Sequence, residues 1–210
     1  LLYLSQAELF LSQLRPEDTN YQNSPSYVSF AHTTHENAEC RTDCSGFVTA
    51  VLQHTYRLSE YQLRRRLGNE RPLAHHFVAA IEAGPSFTNI KRIQDARPGD
   101  IIAIAYPSDH RNSGHVMILA APPTPRVPSQ PLIEGLSQWD LDVIDASASP
   151  HSSDSRLVPG QEPRTGAGRG TFRLYTTQDG AFAGYAWSDS PGSGFWPQAE
   201  RHLVIGRYRS

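Results

Sequence analysis

The feature that most constrains this chain is a pair of short, unbroken apolar runs near its middle. Residues 101–106 (IIAIAY) follow Pro98-Gly99-Asp100, and residues 115–120 (HVMILA) follow Gly114. Runs of this length, bounded by turn-formers, suit strands better than helices, and apolar residues at nearly every position predict burial on both faces. Residues 141–146 alternate well enough for a third strand. Residues 172–176 and 181–186 flank Asp179-Gly180, a hairpin signal. Residues 202–208 close the chain as a last strand. The proline-rich residues 121–131 read as a loop, and the Ser-, Pro- and Gly-rich residues 147–170 as irregular.

Upstream of these runs the pattern is helical. Residues 1–14 form an amphipathic helix that ends before Pro16. Residues 17–42 are polar and read as irregular. A helix starts at Cys44, with Thr42 and Asp43 as capping types and Phe47, Val48, Val51 and Leu52 on one face. Residues 59–67 predict a short helix. Residues 73–83 predict another, stopped by Gly84-Pro85. Helices first and a mostly antiparallel sheet afterwards make an α+β protein. One domain is expected over 1–210, with an extended C-terminal sheet segment.

Composition narrows the function. The 210 residues carry 19 basic and 21 acidic side chains, a formal net charge of -2, which argues against an overall basic nucleic-acid binder. No apolar run reaches the ~18 residues that would suggest a membrane span. Two cysteines are too few for a disulfide framework or a four-cysteine zinc module. The run TGAGRG at 165–170 lacks the Lys-Ser/Thr ending of a phosphate loop and reads as a flexible loop. No cofactor is expected.

Cys44 is the residue with chemical promise. If Asp43 caps the helix, the thiol stands in its first turn, beside unpaired N–H groups and the positive helix end. Such a site is expected to lower a cysteine pKa from its free value of ~8.5. A thiol nucleophile needs a base, and the base needs an orienting group. His115, at the start of the second apolar run, is the candidate base. Asp145, in VIDAS at 143–147, is a carboxylate among apolar neighbours that calls for a partner, and is the candidate orienting group.

Four segments taken together, DCSGFV at 43–48, RPGDIIAI at 97–104, GHVMIL at 114–119 and VIDAS at 143–147, resemble the NlpC-type family of cell-wall cysteine peptidases. The resemblance implies a papain-like fold with Cys44 as nucleophile, His115 as base and Asp145 as the third polar residue, where the family often has histidine. It also implies an upstream tyrosine near the oxyanion site. Tyr27 matches by position, with Tyr21 as rival, and Ser45 of the DCSG segment is a further oxyanion or substrate-binding candidate. The implied activity is hydrolysis of amide bonds in peptidoglycan stem peptides through a thioester, in a periplasmic or secreted setting and without a metal. Two alternatives accompany it. One is an amidase or acyltransferase on a different amide; the other is a non-catalytic or zinc-binding relative of the same fold.

Other constellations compete for the same residues. His32, His35, Cys40 and Cys44 could supply four zinc ligands, which would consume the nucleophile. A Cys40–Cys44 disulfide would require Cys40 in a tight turn outside the helix. The simplest reading makes Cys40 a small buried residue. Arg64, Arg65 and Arg66 read as a solvated helix face. Trp139, Trp187 and Trp196 read as packing residues, with a sugar-binding surface as the alternative.

Overall fold

A computed structural model describes residues 1–31, 37–190 and 192–210. Its helices are α1 (Leu2–Gln13), α2 (Cys44–Tyr56), α3 (Glu60–Leu67) and α4 (Ala74–Ala83). Local chemistry sets their ends. The Asp43 carboxylate accepts from the Gly46 N–H at 2.7 Å and caps α2. Ser59 and Gln62 exchange hydrogen bonds in a capping box at the start of α3. Gly68 and Gly84 take the left-handed conformation that ends α3 and α4. Among the described residues no helix is long and apolar enough to cross a membrane.

Among the described residues, twelve strands accompany the helices. β1 (Leu14–Tyr21), β2 (Tyr27–Ser29) and β3 (Ala38–Thr42) form a small sheet in the order β1-β3-β2. The large sheet comprises β4 (Phe87–Ile90), β5 (Ile101–Ala105), β6 (Gly114–Leu119), β7 (Thr124–Pro125), β8 (Ser137–Ser147), β9 (Gly166–Thr176), β10 (Phe182–Ala186), β11 (Phe195–Pro197) and β12 (His202–Tyr208). Its order is β11-β10-β9-β8-β6-β5-β12-β4, with β7 beside β8, and every pairing is antiparallel. The α+β arrangement expected from the sequence is present.

The apolar runs are explained by two cores. Ile101, Ala103, Val116, Ile118, Ile144 and Ala146 face the helices and pack with Phe47 and Val51 of α2 and Phe77 and Ile81 of α4. Their alternates, including Ile102, Ile104, Met117, Leu119 and Val143, pack with Phe172, Leu174 and Tyr185. That second core is built from the sheet itself. The sheet curls until its far parts meet: Arg92 bridges Ala181, and the Ile93 N–H donates to the Gly180 carbonyl at 3.0 Å. Each central strand is thus covered on both faces.

Two expectations are corrected. Residues 17–42 are not irregular throughout, because β1 pairs in parallel with β3 and β2 pairs antiparallel with it. The β1 sequence LRPEDTNY has no apolar alternation, so its strand character comes from that non-local pairing. The glycine-rich run is also not a loop. Residues 166–170 are paired with residues 143–147, and Asp145 lies opposite Gly168. A Cβ on Gly168 would lie 2.8 Å from Arg156 Nε, and one on Gly170 would lie 2.5 Å from Asp154 Oδ2. These glycines leave room for two buried charged side chains. Gly170→Ala is therefore expected to lower stability by about 1–3 kcal/mol through overpacking, read as a lower urea midpoint with an unchanged slope.

Candidate active site

Three elements converge at one end of the sheet. Cys44 is the first residue of α2, His115 the second of β6, and Asp145 lies near the end of β8, the neighbour of β6. His115 Nε2 is 2.6 Å from Asp145 Oδ2, and both side chains are buried. The two side chains expected from the sequence to pair are in contact.

Asp145 has further partners that the sequence did not reveal. Arg156 Nη2 donates to its Oδ1 at 2.8 Å, and His151 Nε2 lies 3.0 Å from its Oδ2. Asp154 in turn accepts from Arg156 Nε at 2.8 Å and from the His151 backbone N–H at 2.7 Å. His151, Asp154 and Arg156 all come from the stretch read as irregular. Burial by itself would raise the Asp145 pKa, but Arg156, His151 and His115 override it and hold the carboxyl well below the usual carboxylate range.

The hydrogen-bond partners also locate protons. His151 Nδ1 faces the Trp187 carbonyl at 2.9 Å, which can only accept, and its Nε2 faces the ionised Asp145, which can only accept. His115 donates through Nε2 to Asp145, which leaves Nδ1 as its basic nitrogen. Burial, partly opposed by Asp145, lowers the His115 pKa and keeps the ring neutral.

Cys44 sits beside this group without being bonded to it. The residue is 4% exposed, and its thiol donates to the Gly114 carbonyl at 3.9 Å, one residue before His115, and not to the imidazole. The expected low thiol pKa is not found. Burial, followed by Asp43, pushes the Cys44 thiol up to about 12, with Asp145 adding to the rise. The N–H groups of Val116 and Ser45 pull the other way and are outweighed. The helix end that favours a thiolate is thus offset by desolvation and two nearby carboxylates.

The oxyanion candidates divide. The Tyr27 hydroxyl donates to Glu39 and accepts from Arg41 Nε at 3.1 Å, beside a different cavity, so Tyr27 is not at the site. Tyr21 is. Parallel pairing sets Tyr21 opposite Thr42, two residues from Cys44, and burial with Cys44 and Asp43 raises the Tyr21 phenol pKa. Ser45 borders the Cys44 cavity, but its hydroxyl donates to Asp43 at 2.8 Å. It belongs to the helix cap.

Two cavities meet here. One of about 630 Å³ is lined by Asp43, Cys44, Ser45, Arg71 and Gly114. The other, about 280 Å³, is lined by Tyr106, His115, Ser147, Tyr185, Trp187 and Arg201. Tyr21 and Asn112 line both. Trp187 stands edge-on to His115, with ring centroids 4.8 Å apart, and Trp196 also lines the smaller cavity. Trp139 packs against the second core and donates its indole N–H to Thr176 at 3.0 Å.

A group of potential metal-ligand atoms other than the expected zinc set lies among the described residues. Cys40 is buried in β3 away from solvent, and both cysteines are free thiols, which removes the disulfide. His32 and His35 lie outside the described residues. His115, Asp145 and His151 offer three ligand atoms within 4.8 Å of one another. Arg156 already holds the same carboxylate, so a cation there would face a guanidinium.

No family model matches the chain, and no solved structure matches it. The uncharacterized protein R653 of Acanthamoeba polyphaga mimivirus is 32% identical over 213 residues, covering 96% of this chain and 93% of that protein.

Two outcomes follow from the buried network. Arg156→Met leaves two carboxylates buried without their cation and is expected to cost about 3–5 kcal/mol in urea unfolding. His115 is held neutral, so below the free imidazole value of ~6.5 the unfolded chain takes up a proton that the folded chain refuses. Stability therefore falls as pH drops from that value toward the lowered value of folded His115. His115→Asn should shrink the loss of urea midpoint between pH 7.5 and 5.5.

Proposed function

We propose that this chain, which belongs to the same family as the mimivirus protein R653, is a cysteine amidase or endopeptidase with Cys44 as nucleophile. One observation carries the reading. A thiol at a capped helix start and a carboxylate-held imidazole line adjoining cavities that share Tyr21 and Asn112. That is the equipment of acyl transfer.

Because the resting thiol is protonated and His115 is neutral, the first step is general-base attack rather than attack by a standing thiolate. His115 Nδ1 takes the Cys44 proton as sulfur adds to the amide carbonyl. The Cys44 backbone N–H and the Tyr21 hydroxyl stabilise the oxyanion. The C–N bond then breaks, His115 returns the proton to the leaving amine, and a thioester remains. Water, deprotonated by His115, hydrolyses that thioester and frees the thiol. Asp145 keeps Nε2 protonated throughout and stabilises the imidazolium when it forms. Peptidoglycan stem peptides are the first substrate class to test, given the four sequence segments, with other amides next.

The close His115–Asp145–His151 group favours a second reading, a metal-binding relative without turnover. The test separates the two. Purified muropeptides are incubated with the protein and with Cys44→Ala, and products are read by mass spectrometry alongside metal analysis. The amidase reading expects new amine termini, with rates lowered about 10³-fold or more in the variant. Stoichiometric zinc with no cleavage would favour the second reading. Unchanged cleavage by Cys44→Ala would reject the role given to the thiol.

A further inference from the structure

Among the described residues, Arg201 is the one charged side chain lining the cavity that holds His115, and its surroundings are unusual for a cation. Its guanidinium lies over the Trp196 ring, 3.4 Å from the centroid, and over the Tyr106 ring at 4.2 Å. Nη1 donates to the Tyr185 hydroxyl at 3.2 Å. Those contacts fix the plane of the guanidinium, and the aromatic faces lessen its solvation. Arg126, Arg156 and Arg207 have carboxylate partners in Asp140, Asp145 and Asp100, whereas Arg173 is buried away from any cavity described above and donates to the Gln130 carbonyl and the Tyr175 hydroxyl. Among the described residues no carboxylate pairs with Arg201. A rigid, unneutralised guanidinium facing a cavity is the complement of a carboxylate, which it can bind with two parallel hydrogen bonds.

The position of the cavity says which part of a substrate carries that carboxylate. Cys44 and the start of α2 line the larger cavity, where the acyl carbonyl must meet the sulfur. His115, which returns a proton to the leaving amine, lines the smaller one. Arg201 is therefore on the leaving-group side. We propose that Arg201 and its aromatic clamp bind a free carboxylate on the amine half of the substrate, so that the preferred substrates are amides of amino acids whose own carboxylate is free. The side assigned rests on the roles given above to Cys44 and His115; the carboxylate preference rests on Arg201.

The test measures binding apart from turnover. Three N-acetyl dipeptides ending in alanine, glutamine or lysine, each as the free acid and as the carboxamide, are titrated calorimetrically into the Cys44→Ala protein. At least one free acid should bind ten-fold or more tighter than its carboxamide. Adding Arg201→Met should abolish that preference, so that acid and carboxamide bind equally. Adding Arg201→Lys, which keeps the charge but not the planar fork, should retain about two- to three-fold. Equal affinities for acid and carboxamide, no binding of any acid, or a preference that survives Arg201→Met would each overturn the proposal. Turnover of the same six peptides with Cys44 intact is read separately. Cleavage of acids and carboxamides at equal rates also counts against Arg201. Cleavage of none while the binding preference holds counts against the thiol chemistry alone.

Discussion

The buried Asp145 carboxylate is the constraint on which the rest of the site depends. An ionised carboxylate removed from water costs several kcal/mol unless charge and hydrogen bonds replace its hydration. Here the replacement comes from Arg156 on one oxygen and His115 and His151 on the other. Supplying those partners dictates local architecture. The segment between β8 and β9 must fold back under the strand to deliver His151, Asp154 and Arg156. β9 must then present glycine at 168 and 170, because any side chain there would occupy the space of Arg156 and Asp154. Trp187 closes the arrangement. Its carbonyl faces His151 Nδ1, and its ring shields both histidines.

The same low-dielectric setting decides the state of the thiol. A helix N-terminus lowers a cysteine pKa when the sulfur is partly wet and near cations. Cys44 is dry, and the charges that raise its pKa, Asp43 and Asp145, are negative. Asp43 is held there by its task as the α2 cap. The cap that creates the helix start thus raises the pKa of the thiol it positions. A neutral imidazole next to a neutral thiol is consistent within that environment, since separating charge between them is unfavourable until a substrate and its developing oxyanion are present.

How much of this was legible in the sequence depends on whether the signal was local. The α2 cap, the α3 and α4 boundaries, the central strands and the β9–β10 hairpin each have a local cause, and each was readable. Cys44, His115 and Asp145 were readable as an ordered set of segments. Tyr21 was not distinguishable from Tyr27, because only the parallel pairing of β1 with β3 carries it to Cys44. His151, Asp154 and Arg156 sit in residues 147–165, whose Ser and Pro content suggests solvent. Their burial follows from partners far along the chain. The glycines at 166, 168 and 170 looked like flexibility, whereas their role is close approach. A glycine-rich segment after an apolar strand with an internal Asp was the available hint.

The curl of the sheet finally sets the proposed chemistry and the proposed recognition on different parts of the chain. Cys44, the proposed nucleophile, belongs to the helical half and His115, the proposed base, to the central strands. The wall of the smaller cavity, in contrast, is made by residues on and around β10 and β11: Tyr185, Trp187, Trp196 and Arg201. These residues reach His115 only because the sheet bends round to bring β10 against the region of β4, and the second core of Phe172, Leu174 and Tyr185 holds that bend. The C-terminal segment is therefore more than an extension of the sheet. Its apolar residues create the curvature, and its aromatic and cationic residues use that curvature to line the cavity with His115.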